Sequence, residues 1–381
     1  MKVLLVASEQ PPVTSGVART VGRIAEELGN RGHEVDIWSS VGSRRLVVGE
    51  FRFSAMASSW PAVRRELDTY DVVNLHGPAP TISDALLLLF DTLPARRCPP
   101  LVYTHHFDLD LKGWGVPCAI YNRLNRRIAH LADQVVTTTP SYQRRMTLAR
   151  RAPVEVVPWA VDAKAYDVRE ATVYDASRPL RVLFVGQMRS YKGIPGLVRA
   201  VAGQPQIETT IVGSGPLHRK YRRLAATAAP GNVTFRGRLD DDELATLMLT
   251  HDVVALPSVS RQEAFGLALL EGMAAGCVPV ASDLPGVRDV AGPTGRLVHP
   301  GDVGDLQRTL LELAKDPAEV ARLKAASRRR AEGMTWDGVG ASYERVLVQA
   351  VQGVGQRRPA APRPAVIDLR PRPSTDLVRT A

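Results

Sequence analysis

Short runs of uninterrupted apolar residues set the tightest limit on this fold. Lys2 to Ala7 reads KVLLVA. A strand that is apolar at nearly every position, rather than at every second one, must be covered on both faces, as in a parallel sheet flanked by helices. Comparable strands are expected at His33–Trp38, Asp71–His76, Leu101–His105, Gln134–Thr139 and Val154–Val157. Helical spacing falls between them, over Val17–Leu28, Ser83–Phe90 and Ile120–Ala132. The pattern weakens into a polar connector from about Asp162 to Pro179. A second series then begins, with strands at Leu180–Gly186, Ile207–Val212, Val233–Phe235, Val253–Leu256 and Val278–Ala281. Two such blocks of similar length imply two Rossmann-like α/β domains facing across a cleft. A last apolar-periodic helix starts at Trp336, and the Pro- and Arg-rich residues 353–381 are expected to be disordered.

Within the second series, residues 256–280 carry chemistry. They read as a buried strand, a polar loop, a helix with few breakers and another buried strand. Glu263 falls in the loop and Glu271 in the second turn of the helix. The N–H groups of Phe265, Gly266 and Leu267 would open that helix, where unpaired donors and the macrodipole favour an anion such as phosphate. A carboxylate beside a phosphate is repelled by it, so the two glutamates are expected to hold sugar hydroxyls. That combination points to a nucleotide-sugar.

Other strand ends offer partners. Arg189 and Lys192 follow the strand that ends at Gly186, at the carboxyl end where open α/β sheets bind ligands. They would suit a leaving diphosphate, or they are surface charges on a solvated loop. Gly213 and Gly215 form another strand-end glycine loop, which taken singly is usually only a turn. Gly16 would let a backbone N–H approach a phosphate, or it merely opens a helix. The loop before it is not G-x-G-x-x-G, so a nicotinamide dinucleotide fingerprint is missing. His106 and Asp108 stand past the strand ending at His105 and could hydrogen-bond a sugar or acceptor hydroxyl, although a lone histidine there is more often structural. His76 and Asp133 are read as structural. The acid run Asp240 to Glu243 reads as helix capping rather than a metal site.

The formal charge of +10 invites a nucleic-acid reading. Residues 353–381, however, hold six Lys/Arg against two Asp/Glu, which places +4 of the excess in the tail. The folded part is only mildly basic, and no nucleic-acid partner is expected. Cys98, Cys118 and Cys277 have no metal or disulfide spacing and are read as small core residues. The longest apolar run, Ala85–Phe90, is far too short to span a membrane, so a cytoplasmic protein is expected.

The block from Pro257 to Val280, with its two glutamates eight positions apart, resembles the family-4 class of retaining glycosyltransferases with the GT-B fold. The resemblance extends over roughly residues 1–352. It implies an N-terminal acceptor domain (1–165), a C-terminal nucleotide-sugar donor domain (178–335) and a helix (336–352) crossing back to the first domain. It further implies that Glu263 and His106 orient the donor sugar and that Glu271 holds the ribose. The amides around Phe265, Gly266 and Leu267 would take the diphosphate, while Arg189 and Lys192 stabilise it on departure. Gly16, Gly186, Gly213, Gly215 and Arg238 complete the expected donor-binding set. One departure stands out: the position that commonly carries arginine in the family is Gln187 here, with Lys192 in place, so Arg189 is expected to supply the missing charge.

The implied reaction moves a sugar from a UDP- or GDP-sugar, UDP being favoured by family frequency, to an acceptor hydroxyl. It retains configuration, needs no metal or other cofactor, and would serve glycolipid, cell-envelope glycan or glycosylated-metabolite synthesis. A nucleotide-sugar 2-epimerase or phosphorylase of the same fold, and a non-catalytic nucleotide-sugar-binding protein, stay open. The acceptor would be lipid-linked or a small molecule. Ser59 to Leu67, together with several Arg-Arg pairs, could lie on anionic lipid at the inner face of the membrane or be a solvated helix face.

Overall fold

The computed structural model describes residues 1–12, 15–40, 45–48, 51–54, 64–92, 98–110, 113–147, 153–166 and 171–353. The first series builds one sheet from β1 (Lys2–Ala7), β2 (Glu34–Ser39), β5 (Val72–Gly77), β6 (Leu101–His105), β7 (Gln134–Thr137) and β8 (Val154–Val156). Its order is β2-β1-β5-β6-β7-β8, every pair parallel. A separate hairpin joins β3 (Arg45–Val48) to β4 (Phe51–Ser54). The second series builds a matching sheet from β9 (Leu180–Val185), β10 (Ile207–Val212), β11 (Val233–Gly237), β12 (Val253–Leu256), β13 (Val278–Ser282) and β14 (Arg296–Val298). Its order is β11-β10-β9-β12-β13-β14, again all parallel.

Helices α1 (Gly16–Asn30), α2 (Ser83–Asp91), α3 (Gly115–Ile128) and α4 (Pro140–Thr147) belong to the first unit. Helices α5 (Ile194–Val201), α6 (His218–Ala228), α7 (Asp241–Leu249), α8 (Leu267–Ala274), α9 (Val287–Ala291), α10 (Val303–Lys315) and α11 (Pro317–Glu332) belong to the second. The double-sided covering read from the apolar strands is present: Val72–Gly77 and Val278–Ser282 are buried along their whole length. The last helix, α12 (Trp336–Gly353), returns to the first unit. Its Val339, Tyr343, Val346 and Leu347 share one buried cluster with Val21, Ile24 and Leu28 of α1.

Two expectations change. The helix read as Ile120–Ala132 begins five residues earlier, because Pro117 is tolerated in a first turn whose amides need no partner; it ends at Ile128, and Ala129–Leu131 tightens into a 3₁₀ turn. The supposed polar connector is anchored: Tyr174 is buried in the second core, and its hydroxyl donates to Ala314 O at 2.7 Å. Of the element expected at Ser59–Leu67, residues 59–63 lie outside the described residues, as does the tail from 354.

Both sheets reverse strand order beside their first strand, between β1 and β5 and between β9 and β12. Ligands of open α/β sheets bind at such switch points, outside the carboxyl ends of the strands. The two crevices face one another. Because α12 carries apolar bulk from the chain's end into the first core, Tyr343→Ala is expected to lower stability by roughly 3 kcal/mol or more. The check is a fall in the urea midpoint at unchanged slope.

Candidate active site

Between the two sheets lies a cleft of about 980 Å³, a volume within the range that encloses a small organic ligand. From the first sheet it is lined by the loop after β1, by His76 and Gly77 of β5 and by His106 beyond β6. From the second it is lined by Gly186, Gly213 and Gly215, by the loop after β12 and by the start of α8. Every residue of the expected site set reaches it: Gly16, His106, Gly186, Arg189, Lys192, Gly213, Gly215, Arg238, Glu263, Phe265, Gly266, Leu267 and Glu271. Switch-point topology brings together residues up to 255 positions apart, from Gly16 to Glu271.

Two helix N-termini converge here. In α1, Ser15 is the N-cap and its Oγ accepts from Ala18 N at 3.2 Å. In α8, Gly266 is the N-cap with φ of 85°. The first amides that find backbone acceptors are Leu269 N and Leu270 N, both on Gly266 O. The amides of Leu267 and Ala268 have no partner among the described residues. The helices approach closely, since a Cβ on Gly16 would stand 3.6 Å from Leu267 Cδ1 and 3.8 Å from the Trp159 ring. Partial positive charge from both helix ends therefore concentrates in one place.

Lys192 Nζ lies 2.5 Å from Glu263 Oε2, and both side chains are nearly buried. Ser258 Oγ donates to the same oxygen at 3.1 Å. Burial alone would depress the Lys192 pKa, but the Glu263 charge beside it raises it overall, so the ammonium stays protonated. Glu271 is also buried, which raises its pKa, while Arg19 opposes the shift. Arg19 Nη2 reaches Glu271 Oε1 at 2.9 Å from the first unit. Arg189 Nε donates to Gln187 Oε1 at 3.2 Å. The arginine and the glutamine thus act together at the cleft rim.

His106 is not a lone histidine. Its Nε2 lies 3.0 Å from His76 Nδ1, with the rings stacked at 5.2 Å. Tyr343 of α12 stacks on the far side of His76 at 6.4 Å, and Trp159 packs on His106 at 5.3 Å and on Phe265 at 5.3 Å. This aromatic row crosses from the first core to the loop before α8. Desolvation pushes His76 down to about 3 and His106 well below the usual imidazole range, the neighbouring His76 adding to the latter. Both rings are neutral. His106 Nδ1 and Trp159 Nε1 are buried with no partner among the described residues.

Several readings are corrected by these contacts. His76, taken as structural, stands in the cleft as the hydrogen-bond partner of His106. Asp108 does not offer itself to a hydroxyl. It is fully buried, with Arg126 Nη1 and Arg145 Nε each at 2.9 Å and His105 at 3.4 Å. Burial would raise its pKa, but those partners hold it far below the ordinary carboxylate range. Two of the arginines counted as surface charge therefore point inward. Asp133 does act structurally, accepting from Leu101 N at 2.8 Å. Asp240 caps α7 in a reciprocal capping box with Glu243, while Asp241 faces the cleft.

Arg19, Trp159 and Gln262 line the cleft without a sequence signal. Arg19 falls on a helix face otherwise read as amphipathic, and Trp159 sits in what looked like the end of a domain. Asp110 adds an unforeseen latch: its backbone O accepts from Ser260 Oγ at 3.0 Å and from Gln262 Nε2 at 2.5 Å, and its carboxylate accepts from Arg261 N at 3.1 Å. The loop carrying Glu263 is thereby tied to the first unit.

The neutral histidines set a pH dependence. An unfolded histidine binds a proton near pH 6.5, whereas buried His76 does so only near 3. Between these values the unfolded chain holds more protons, so stability rises with pH across the window and is lost as pH falls from about 6.5. Thermal melts from pH 7 to pH 4.5 should show this decline, and His76→Asn should flatten it.

The chain was compared with known proteins. Residues 174–330 match the family described as "Glycosyl transferases group 1", and residues 14–165 match "Glycosyltransferase Family 4". The D-rhamnosyltransferase WbpZ of Pseudomonas aeruginosa is 30% identical over 262 residues, which is 66% of each chain. The phosphatidyl-myo-inositol mannosyltransferase of Mycolicibacterium smegmatis is 27% identical over 383 residues, covering 93% of this chain and 95% of the relative. The solved structure of sucrose-phosphate synthase from Thermosynechococcus elongatus aligns at a TM-score of 0.76 and 21% identity, covering 92% of this chain and 99% of that one, which shows a shared fold. This chain belongs to glycosyltransferase family 4 and is a GT-B glycosyltransferase acting on nucleotide sugars.

Proposed function

We propose that this enzyme transfers a hexosyl group from a nucleoside-diphosphate sugar to an acceptor hydroxyl with retention of configuration and without a metal ion. The observation that carries the reading is the meeting of two helix N-termini, at Gly16 and Leu267, beside the buried Lys192–Glu263 pair. The diphosphate would rest on the open amides, and its departing charge would be met by Lys192, Arg189 and the helix ends. These are the services a divalent cation performs elsewhere. Glu263 and neutral His106 would hold sugar hydroxyls, and Glu271 the ribose. A carboxylate already paired with an ammonium is a poor nucleophile, so Glu263 suits this role better than covalent attack. In the step itself the bond from the anomeric carbon to the phosphate oxygen breaks and its electron pair leaves with the diphosphate. The acceptor oxygen bonds to the same face and its proton passes to the departing phosphate oxygen.

The relatives' names, mannosyl- and rhamnosyltransferase, with one mannosyltransferase named as GDP-mannose-dependent, put GDP-mannose ahead of UDP-sugars as the first donor to try. A thermal-shift screen over GDP- and UDP-sugars identifies the donor, because a ligand that binds only the folded state raises its melting temperature. With that donor, product analysis should show the donor's anomeric configuration kept and turnover unaffected by chelator. A sugar-nucleotide product formed without acceptor would identify an epimerase instead. Glu263→Gln and Lys192→Ala should each lower kcat by about 10² to 10³-fold with the fold intact by melting; normal turnover in both would overturn the site assignment.

The acceptor is proposed to be lipid-linked, with the enzyme held at an anionic membrane surface through α3. No helix among the described residues is long and apolar enough to cross a membrane. However, Val116, Ile120 and Leu124 along one face of α3, and Trp114 at its N-cap, are each more than half exposed. That helix contains no acidic residue and also exposes Arg123 and Arg127. An apolar stripe with a tryptophan and flanking arginines fits the headgroup boundary of an anionic bilayer. The loop that leads into α3 leaves His106 in the cleft, so docking there would bring a lipid-borne hydroxyl toward the site. Ile120→Glu with Leu124→Glu should abolish co-sedimentation with anionic vesicles while leaving nucleotide binding unchanged. Equal binding to neutral and anionic vesicles, or none, would remove the membrane reading.

A further inference from the structure

Resting on the donor site just proposed, we infer that Arg19 exchanges partners during the catalytic cycle. Without donor it neutralises Glu271 across the cleft; with donor, ribose hydroxyls take Glu271 and the guanidinium moves to the diphosphate. Arg19 thereby supplies the charge for which Gln187 has no cation.

Four observations lead there. The first is position. Arg19 lies one turn beyond Gly16 on α1, with its backbone N–H bonded to Ser15 O at 3.0 Å, so its side chain departs from the helix end whose amides face the cleft. A cation in the first turn of a helix opposes the macrodipole, and the first turn of α1 contains no acid to balance it. Such an arginine is stabilised only by an anion brought from outside the helix. Glu271 is one such anion, and a diphosphate at the same helix end is another.

The second is freedom to move. The Arg19 side chain is 52% exposed, whereas Glu271 is 12% exposed. The glutamate is enclosed by the cleft wall, whereas the arginine has open space beside it into which it can turn.

The third is charge balance. The cleft is lined by four cations (Arg19, Arg189, Lys192 and Arg238) and four carboxylates (Glu9, Asp241, Glu263 and Glu271). A diphosphate entering a neutral cleft needs cations that are not bound elsewhere. Lys192 already faces Glu263 at 2.5 Å and Arg189 donates its Nε to Gln187 Oε1, so both would meet a diphosphate with part of their capacity already engaged. Arg19 can be released by the ligand itself.

The fourth is the chemistry of the exchange. Glu271 is buried enough for its pKa to be raised, with Arg19 opposing. A buried carboxylate stripped of its arginine must receive hydrogen bonds in return. Two adjacent ribose hydroxyls donate two. The freed guanidinium gains bidentate contact with phosphate oxygens, its best-matched partner. Donor binding thus trades one ion pair for a carboxylate–diol contact and an arginine–phosphate contact, and joins the two domains through the ligand.

The exchange makes predictions of opposite sign, which separates it from a merely structural bridge. Binding of GDP, GMP and guanosine, and of the UDP, UMP and uridine series, is measured by calorimetry for the wild type, Arg19→Ala and Arg19→Lys. In Arg19→Ala the diphosphate should bind about ten- to a hundredfold more weakly. The nucleoside should bind as well as before or better, because nothing now competes for Glu271. Turnover should fall in parallel with diphosphate affinity, and Arg19→Lys should recover part of both. If nucleoside and diphosphate weaken together, Arg19 only holds Glu271 in place; if neither changes, it is a rim charge. Either result overturns the exchange while leaving the donor site standing. Absence of nucleotide binding by the wild type removes the donor site and the exchange with it.

Discussion

The Lys192–Glu263 ion pair depends on how closely two backbones approach, and much of the site follows from that approach. Gly193 adopts φ of 72°, and a Cβ there would stand 1.8 Å from Pro257 O. Only glycine lets the loop after β9 touch the loop after β12. The contact places the ammonium and the carboxylate together in a position from which water is largely excluded. Isolated, either charge would cost several kcal/mol to bury; together, and with Ser258 donating, each makes the other tolerable. Gly213 repeats the device one loop away, where a Cβ would lie 2.0 Å from Gly186 O. The second unit's wall of the cleft is therefore built from backbones in contact.

The first unit's wall is stabilised differently. A row of rings from Tyr343 through His76, His106 and Trp159 to Phe265 runs from one hydrophobic core to the other. It holds His106 by stacking and by one hydrogen bond, and it keeps both imidazoles neutral through burial. Asp110 adds polar contacts from the first unit to the loop that carries Glu263. Through these features the chain's last helix, far from the cleft in sequence, supports the ring that faces it. Arg19 and Glu271 form an ion pair across the cleft that belongs to neither hydrophobic core.

Much of this was legible in residues alone. Continuous apolar runs in Lys2–Ala7 and Val253–Leu256 required parallel strands covered on both faces, and the loop–helix stretch around Glu263 and Glu271 was readable as a helix N-terminus flanked by two carboxylates, which lines the cleft. The acid run at Asp240 was legible as a cap because capping is local. Asp108 was misjudged because its partners, Arg126 and Arg145, lie 18 and 37 residues away on two helices. His76 was passed over because stacking on His106 is a register effect between β5 and β6, invisible in one dimension. Tyr174 looked like part of a polar linker because its hydroxyl finds a carbonyl 140 residues away.

Sequence by itself therefore determined what is periodic or local: the two parallel-sheet blocks, the helix caps, the glycines at loop entries, and the chemical types gathered at strand ends. Tertiary structure alone decided which charges meet. Arg19 is one cation among many until switch-point topology sets α1 opposite α8, and only then does it become the partner of Glu271. Pairing energies depend on separation and on exclusion of water, and both are properties of the packed pair of sheets rather than of any stretch of chain.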